Sequence, residues 1–269
     1  MSRLGRLHFL LGMTPLLVAA SASAESALTF RFPERFEEIA ATTYDPATGT
    51  TLGGGFIRVE RSEGGRVRME AATGIDGGAN TRVVAELSTS PDGTGLRLLR
   101  QESRSVDVSG QPMGVLEIDH TAGEGRCTGP SLRGAPPETE TIPLPDDDRV
   151  VNVPLNLLFQ PIVLGEAGEL RFQILLCAGG PRIVTAIARA AETKATRRDG
   201  ARLVRIQYEL SLPKILSRVF ARWLPDLSFW FDPHDAGAWI GHEMPLYSKG
   251  PTVLLVRRGF TPALLGFEP

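Results

Sequence analysis

The chain has few of the residues and motifs that build catalytic centres. It contains two cysteines and four histidines in 269 residues. It has no GxSxG nucleophile elbow, no Walker phosphate loop and no GxGxxG dinucleotide fingerprint. The glycines at 53–55 precede a predicted strand rather than a helix, so they indicate a bend or bulge and not a phosphate cradle. We therefore predict no cofactor and assign no catalytic residue.

The chain also lacks an excess of basic residues. Lys and Arg number 29 against 31 Asp and Glu, which gives a formal net charge of −2. Proteins that bind nucleic acid usually have a basic excess gathered on one face. We therefore expect no nucleic-acid partner.

Long apolar runs are absent after the first 24 residues. Arg3 and Arg6 precede an apolar stretch at 7–20, and Ala22-Ser23-Ala24 places small residues at a signal peptidase site. The stretch is shorter than the roughly 20 residues that span a bilayer. It predicts a cleaved signal peptide at 1–24, with an uncleaved anchor as the alternative. Residues 25–269 are then expected to form one exported, periplasmic domain without a transmembrane segment.

The two cysteines, Cys127 and Cys177, both lie in the part of the chain expected to be exported. In an oxidising compartment they predict one disulfide, and two buried thiols are the alternative. The closed loop of roughly 50 residues would contribute about 3–4 kcal/mol to the free energy of unfolding. The pair has no CxxC spacing, so it does not indicate a metal site.

Short runs of alternating apolar and polar residues are abundant instead. Residues 66–71, for example, place Val67, Met69 and Ala71 on one face of a strand. Clusters of Gly, Pro and Asp, such as residues 91–93, separate these runs. The pattern predicts a mainly β protein with an antiparallel curved sheet or open β-barrel and one or two packed helices. A two-sheet sandwich gives the same alternation and remains the alternative.

Three segments interrupt the strand pattern. Residues 127–148 are rich in Pro and end in three Asp, which indicates a long surface loop. Residues 151–163 are apolar with a proline near each end and predict a short helix. Residues 212–224 have apolar side chains at i, i+3 and i+4 and predict an amphipathic helix that ends before Pro225.

Three tryptophans lie within or near the amphipathic helix. We assign the helix and these aromatics to a ligand cavity and its lid, since such cavities are mostly apolar. The assigned residues are Ile215, Leu216, Val219, Phe220, Trp223, Trp230 and Trp239. Simple core packing of the tryptophans and a helix resting on a membrane surface are the alternatives.

Residues able to bind a metal are densest between 231 and 243. His234, Asp235 and His242 are the candidates for a metal site, and Zn²⁺ needs three or four convergent ligands. The alternative is an Asp- and Pro-rich turn followed by a strand with an exposed His–Glu pair. His120 lies on the apolar face of its predicted strand and indicates a hydrogen-bonded core residue.

The layout of the chain, with FWFD at 229–232 and GHEMPLYSKGP at 241–251, resembles a group of uncharacterised bacterial periplasmic proteins. These proteins are thought to share the open, unclosed β-barrel of the Lol lipoprotein carriers. The resemblance covers most of residues 25–269. It implies a half-barrel whose concave apolar face, covered by helices, suits an acyl chain or a similar apolar molecule.

Three functions follow as hypotheses. The first is a non-enzymatic periplasmic protein that binds an apolar small molecule or lipid in the concave face of an open barrel. The second is a structural or interaction protein of the cell envelope that binds another protein. The third is a metal-dependent hydrolase that uses the region of His234 and His242.

Overall fold

The structure is a computed structural model that describes residues 28, 30, 38–61, 63–89, 95–129, 137–177, 180–211, 227–235, 238–247 and 250–267. These residues form fourteen β-strands. In chain order they are β1 (Glu38–Tyr44), β2 (Thr51–Arg61), β3 (Arg66–Gly74), β4 (Asn80–Thr89), β5 (Leu96–Val106), β6 (Pro112–Asp119), β7 (Glu124–Gly129), β8 (Glu138–Pro143), β9 (Glu169–Leu176), β10 (Arg182–Ala191), β11 (Val204–Leu210), β12 (Leu227–Asp232), β13 (Ala238–Pro245) and β14 (Thr252–Arg257).

The strands pair into one antiparallel sheet with the order β8-β7-β6-β5-β4-β3-β2-β1-β14-β13-β12-β11-β10-β9. β1 pairs with β14 as well as with β2, so the first and last strands meet in the middle of the sheet. β8 and β9 are the two edges, and no described ladder joins them. The mainly β, open-barrel architecture is thereby confirmed, and the two-sheet sandwich is not what forms.

The sheet is curved, since side chains from distant strands meet on one of its faces, which is therefore the concave face. Val67 and Met69 of β3 and Leu87 of β4 belong to the same buried cluster as Phe172 of β9 and Phe229 of β12. Successive side chains of a strand point to opposite faces. The alternation of β3 therefore places Val67, Met69 and Ala71 on the concave side, as predicted.

The segment between β8 and β9 fills much of the concave face. It forms two single helical turns, α1 (Leu155–Leu158) and α2 (Gln160–Val163), which we call the plug. The ring of Phe159, fully buried between them, lies 5.2 Å from that of Phe229 and 5.9 Å from that of Phe172. The predicted helix at 151–163 is thus present but broken. Pro161 lacks the N–H that a continuous helix needs there and is tolerated in the first turn of α2.

The two ends of the sheet overlap. Residues of the concave side of β6 and β7 pack against Leu175, which lies on the opposite side of β9 from Phe172 and Ile174. We call this overlap the seam, and its buried members are Ile118, Cys127, Leu144, Val150 and Leu175. Val150 also forms an isolated parallel bridge to Gln173 beside the β9 edge.

A glycine lies at the closest approach in the seam. A Cβ added to Gly125 would lie 3.1 Å from a methyl group of Leu144 and 3.1 Å from one of Leu175. That spacing is tighter than ordinary van der Waals contact. A side chain at this position would therefore require Leu144 and Leu175 to shift by a few tenths of an ångström.

The predicted disulfide lies in the same place. Cys127 of β7 and Cys177, directly after β9, have their sulfurs at bonding distance (1.97 Å) and their Cα atoms 5.5 Å apart. The disulfide thus joins the two ends of the sheet through β7 and the residue after β9, whereas the edge strands β8 and β9 share no ladder among the described residues.

The prediction of a surface loop over 127–148 is wrong in part. β7 continues to Gly129, and β8 occupies Glu138–Pro143 with almost every residue exposed. Charged and polar side chains suit an exposed edge strand, and Pro143 is placed at the end of β8, where a missing donor is harmless. Asp148, the last of the three Asp, pairs with Arg97 and is mostly buried.

The convex face of β12–β14 is covered by the C-terminal segment. Trp230, Leu254 and Val256 form a separate buried cluster with Leu265, which lies in a 3₁₀ turn at Pro262–Leu265. A second 3₁₀ turn, Glu63–Gly65, connects β2 to β3. In the described part of the chain, no helix is both long enough and apolar enough to cross a bilayer.

Candidate functional site: the mouth of the concave face

One end of the barrel gathers the connections that follow the odd-numbered strands. Since all neighbouring strands are antiparallel, the connections β1–β2, β3–β4, β5–β6, β7–β8, β9–β10, β11–β12 and β13–β14 emerge at the same end. We call this the upper end. The connection from β11 to β12 contains the amphipathic sequence at 212–224, and it starts and finishes at this end.

Apolar side chains at the upper end remain partly exposed. Leu176, Val184, Leu210 and Met244 come from the ends of β9, β10, β11 and β13, and each packs against the main core cluster without being buried by it. We call these four residues the mouth. They continue the apolar concave face to the surface, and concave apolar surfaces of this kind are where small molecules usually bind.

Below the mouth, the concave face contains two polar rings in an aromatic setting. His242 pairs in register with Phe229 and with Leu255, and Trp239 lies beside it on the same face. The imidazole centroid is 5.1 Å from that of Phe229 and 5.4 Å from that of Trp239. Burial lowers the pKa of His242 to about 4, so the imidazole is neutral at pH 7.

Each ring has one nitrogen that is not satisfied within the protein. Nδ1 of His242 and Nε1 of Trp239 are both buried and have no hydrogen-bond partner. Buried polar groups are nearly always paired, so each exception requires an explanation.

The structure does not bring together all of the residues assigned to the cavity. Trp239 lies on the concave face, whereas Trp230 lies on the convex face, 5.5 Å from the ring of Phe267 and under the guanidinium of Arg205 at 5.6 Å. In the run Phe229-Trp230-Phe231 the central residue must face away from its two neighbours. That alternation was visible in the sequence.

The five cavity residues assigned to the amphipathic helix, Ile215, Leu216, Val219, Phe220 and Trp223, lie outside the described residues. The ends of their segment are described. Ser211 donates its backbone N–H to the carbonyl of Thr185 at 2.8 Å, and Leu227 begins β12 at the upper end. Both ends are therefore beside the mouth.

The metal candidates are placed apart. His234 lies in the exposed turn between β12 and β13 at the lower end, whereas His242 lies on the concave face. Asp232 accepts a hydrogen bond from the backbone N–H of His234 at 2.9 Å. It also forms an ion pair with Arg197 at 2.9 Å. The described ranges contain no group of three or more His, Cys, Asp or Glu residues arranged to hold a metal. The Asp-rich turn is present, but His242 points into the barrel rather than to solvent.

His120 belongs to the seam and not to the mouth. Its side chain is 2% exposed, with Nε2 2.9 Å from the carbonyl of Val150 and Nδ1 3.3 Å from the carboxylate of Asp148. Both nitrogens are thus engaged in fixing the chain where it turns from β8 toward β9. The structure shows the hydrogen-bonded core residue that its strand position indicates.

Gln101 of β5 fixes the plug, a role that the sequence did not reveal. Its side-chain oxygen accepts the backbone N–H groups of Asn152 at 3.1 Å and Val153 at 3.0 Å. Asn152 in turn bridges to the backbone of Leu175 through both atoms of its amide. A polar residue on an otherwise apolar strand face is the available signal for such a contact.

A second depression lies at the same end of the barrel on β2–β5. This open groove of about 490 Å³ is lined by Phe56, Ala72, Arg82, Arg104, Val106 and the glycines 54, 55 and 74, with Thr73, Asn80 and Thr81. Arg82 and Arg104 are ion-paired to Glu70 and Glu102. Both guanidinium groups of the groove are thus already paired, and the mouth is the stronger candidate because it continues into the core.

No protein-family model matches the chain, and no curated protein matches it in sequence. Among solved structures, the chain is similar to a β-barrel-like protein of domain of unknown function DUF1849 from Brucella abortus. The TM-score is 0.44 at 12% identity, and the match covers 82% of this chain and 94% of that one. The chain is thus similar to a β-barrel-like protein whose function is itself unknown.

Proposed function

We propose that this is an exported, non-enzymatic periplasmic protein that binds an apolar, lipid-like molecule at the mouth of its open barrel. The observation that supports this most directly is the set of partly exposed apolar side chains at Leu176, Val184, Leu210 and Met244, which is continuous with the buried core. Fully burying one such side chain is worth about 1.5–3 kcal/mol. A ligand or lid that covers four of them has a substantial driving force.

The plug limits where the ligand lies. Phe159 is fully buried between β9, β11 and β12, so the chain itself occupies the interior beside those three strands. In this proposal most of the ligand therefore lies above the plug, between the mouth and the connection from β11 to β12, and only the wall on β13 is left for its inner end. In this proposal Ile215, Leu216, Val219, Phe220 and Trp223 form the lid that covers it.

Export is a part of the proposal supported by the sequence at 1–24 and by the disulfide. Structural disulfides persist in oxidising compartments such as the periplasm and are rare in the cytosol. The open barrel is the architecture that the resemblance to the Lol-carrier-like group implies, and a role in carrying or sensing an acyl chain is our reading of that resemblance.

Native mass spectrometry of protein purified from the periplasm, followed by organic extraction, tests this function. We expect a retained apolar molecule in the unaltered protein and its loss in Phe220→Asp, because a carboxylate on the apolar face of the lid is costly to bury. Ser217→Asp, on the polar face of the same predicted helix, is the matched control and should keep the molecule. If the native mass is that of the protein without a bound molecule under several growth conditions, the proposal is contradicted. That result would favour an interaction protein of the cell envelope.

A further inference from the structure

Two neighbouring rings on the concave face each keep a buried nitrogen that has no hydrogen-bond partner in the described part of the chain. Trp239 is 3% exposed, and its Nε1 has no partner. The neighbouring His242 has a buried, unpaired Nδ1. Their ring centroids are 5.4 Å apart. Buried polar atoms are nearly always paired, so two neighbouring rings that each keep an unpaired nitrogen on one apolar wall require an explanation.

Leaving these two nitrogens unpaired is costly, and an apolar ring at either position would avoid the cost. Each buried donor or acceptor without a partner costs about 1–3 kcal/mol. The wall around the pair is apolar. His242 has Phe229 of β12 as its partner on one side and Leu255 of β14 as its partner on the other. A phenylalanine at either position would satisfy this environment at no polar cost.

We propose that Trp239 Nε1 and His242 Nδ1 together bind a carbonyl oxygen at the polar end of the apolar ligand. This inference rests on the proposed function and specifies the chemical class of the ligand: a long apolar chain that ends in an uncharged carbonyl, such as an ester. The indole Nε1–H is a donor only, and a neutral imidazole has one N–H to donate. A carbonyl oxygen has two lone pairs and accepts both.

An uncharged group suits this wall better than a carboxylate. The imidazole is neutral at pH 7, and the described partners of His242 across the sheet are Phe229 and Leu255, so neither supplies a positive charge. Removing a carboxylate from water without a cation is far more costly than removing an ester. The ligand is therefore expected to bind as the ester in preference to the free acid.

The path to the pair leads from the mouth. Met244 lies two residues beyond His242 on the same face of β13, toward the upper end, and is partly exposed. Methionine is unbranched and adapts its side chain readily to irregular partners. Its displacement opens the way from the mouth to the pair, with the apolar chain of the ligand left at Leu210 and Val184.

The test uses three fluorescent polyene probes: cis-parinaric acid methyl ester, cis-parinaric acid and the hydrocarbon diphenylhexatriene. We expect the unaltered protein at pH 7 to bind the methyl ester most tightly. Trp239→Phe and His242→Phe should each weaken ester binding about 10-fold, the equivalent of one buried hydrogen bond. Binding of the hydrocarbon should change less than about 2-fold.

Thr43→Val is the matched control. Thr43 also has a buried, unpaired side-chain oxygen on the concave face, but Leu255 of β14 separates it from His242. At the usual strand spacing it is about 10 Å away, too far to reach the same carbonyl. Its replacement should leave the affinity for all three probes unchanged.

The outcomes separate this inference from the function on which it rests. If no probe binds the unaltered protein, the proposed function fails. If the probes bind but the ester has no advantage over the hydrocarbon, or if both phenylalanine variants keep full ester affinity, only the carbonyl site is overturned. The comparison of probes in the unaltered protein decides the matter even if a variant does not fold.

Discussion

At the scale of single residues, the side of the sheet that a side chain faces decides its role. Trp239 and His242 face the concave side and lie in an apolar, aromatic wall. Trp230, only nine positions before Trp239, faces the convex side and packs against the C-terminal segment. Similar residue types thus serve a candidate site in one case and anchor the chain terminus in the other.

His242, which is partly buried in the apolar wall, should make the stability of the protein depend on pH. Its pKa is about 4 in the folded protein against 6.5 for an exposed histidine, so between these values the unfolded chain binds a proton that the folded one does not. The contribution is fully present above pH 6.5 and is lost as the pH falls toward 4. We expect about 2–3 kcal/mol of the free energy of unfolding to disappear over this range, measured by urea denaturation.

The variant His242→Phe isolates this effect from the titration of carboxylates. It should show a shallower loss of stability between pH 6.5 and pH 4 than the unaltered protein. Equal slopes in the two proteins would show that the imidazole titrates normally in the folded state.

Thr43 offers a second test at this scale. Its hydroxyl is buried without a partner, and valine has nearly the same shape. Thr43→Val should therefore raise the free energy of unfolding by about 1 kcal/mol, since an unpaired buried hydroxyl is removed. Chemical denaturation at pH 7 measures this, and a destabilised variant would show that the hydroxyl does find a partner.

At the scale of elements, the plug occupies space on the concave face that a longer helix or a ligand would otherwise fill. α1 and α2 are four residues each, too short to be stable alone, so they depend on packing against the sheet. Gln101 and Asn152 hold the segment to β5 and β9 through hydrogen bonds. The plug is therefore an integral part of the core.

Phe159→Ala tests this role. Removal of a fully buried phenylalanine should cost about 3–5 kcal/mol in the free energy of unfolding. Leu164→Ala, in the same segment but 37% exposed, is the control and should cost much less. Calorimetry or denaturant titration compares them, and a similar small loss in both would mean that the plug is not packed as described.

Most strands were predictable from the sequence, because alternation with period two is a local signal. Val67 and Met69 of β3 are an example. β8 was not predicted, since its exposed Glu and Thr residues give no apolar alternation and prolines surround it. The overlap of β7 with β9 was also beyond the sequence, because Gly125 reports a close approach only when its neighbour Leu175 is known.

The candidate site was predictable only in part. Trp239 was assigned to the cavity, and His242 was singled out, but as a metal ligand rather than as a member of an apolar wall. The signal for Trp230 was present in the Phe-Trp-Phe run, whose alternation places its middle residue on the opposite face. The mouth was not predicted, because Leu176, Val184 and Leu210 come together only through the order of β9, β10 and β11 in the sheet.

At the scale of the whole molecule, an overlap and a disulfide join the two ends of the open barrel, and no described strand ladder connects β8 with β9. The bond between Cys127 and Cys177 crosses the seam and spans 50 positions of the chain. The plug lies within the loop that the disulfide closes. The disulfide therefore also reduces the conformational entropy of that segment in the unfolded chain.

Cys127→Ser combined with Cys177→Ser should lower the free energy of unfolding by about 2–4 kcal/mol. A reducing agent should have the same effect on the unaltered protein and none on the double variant. Thermal denaturation with and without dithiothreitol gives the comparison. If reduction leaves the melting temperature of the unaltered protein unchanged, the seam is held by packing alone.

The central claim is that the mouth binds an apolar molecule, and titration with diphenylhexatriene tests it most directly. We expect saturable binding by the unaltered protein and by Val108→Asp, a change at an exposed apolar residue outside the mouth at the same end of the barrel. Leu210→Asp, within the mouth, should weaken binding at least about 10-fold, because a buried carboxylate would face the probe. Absence of saturable binding, or equal affinity in the two variants, would contradict the account.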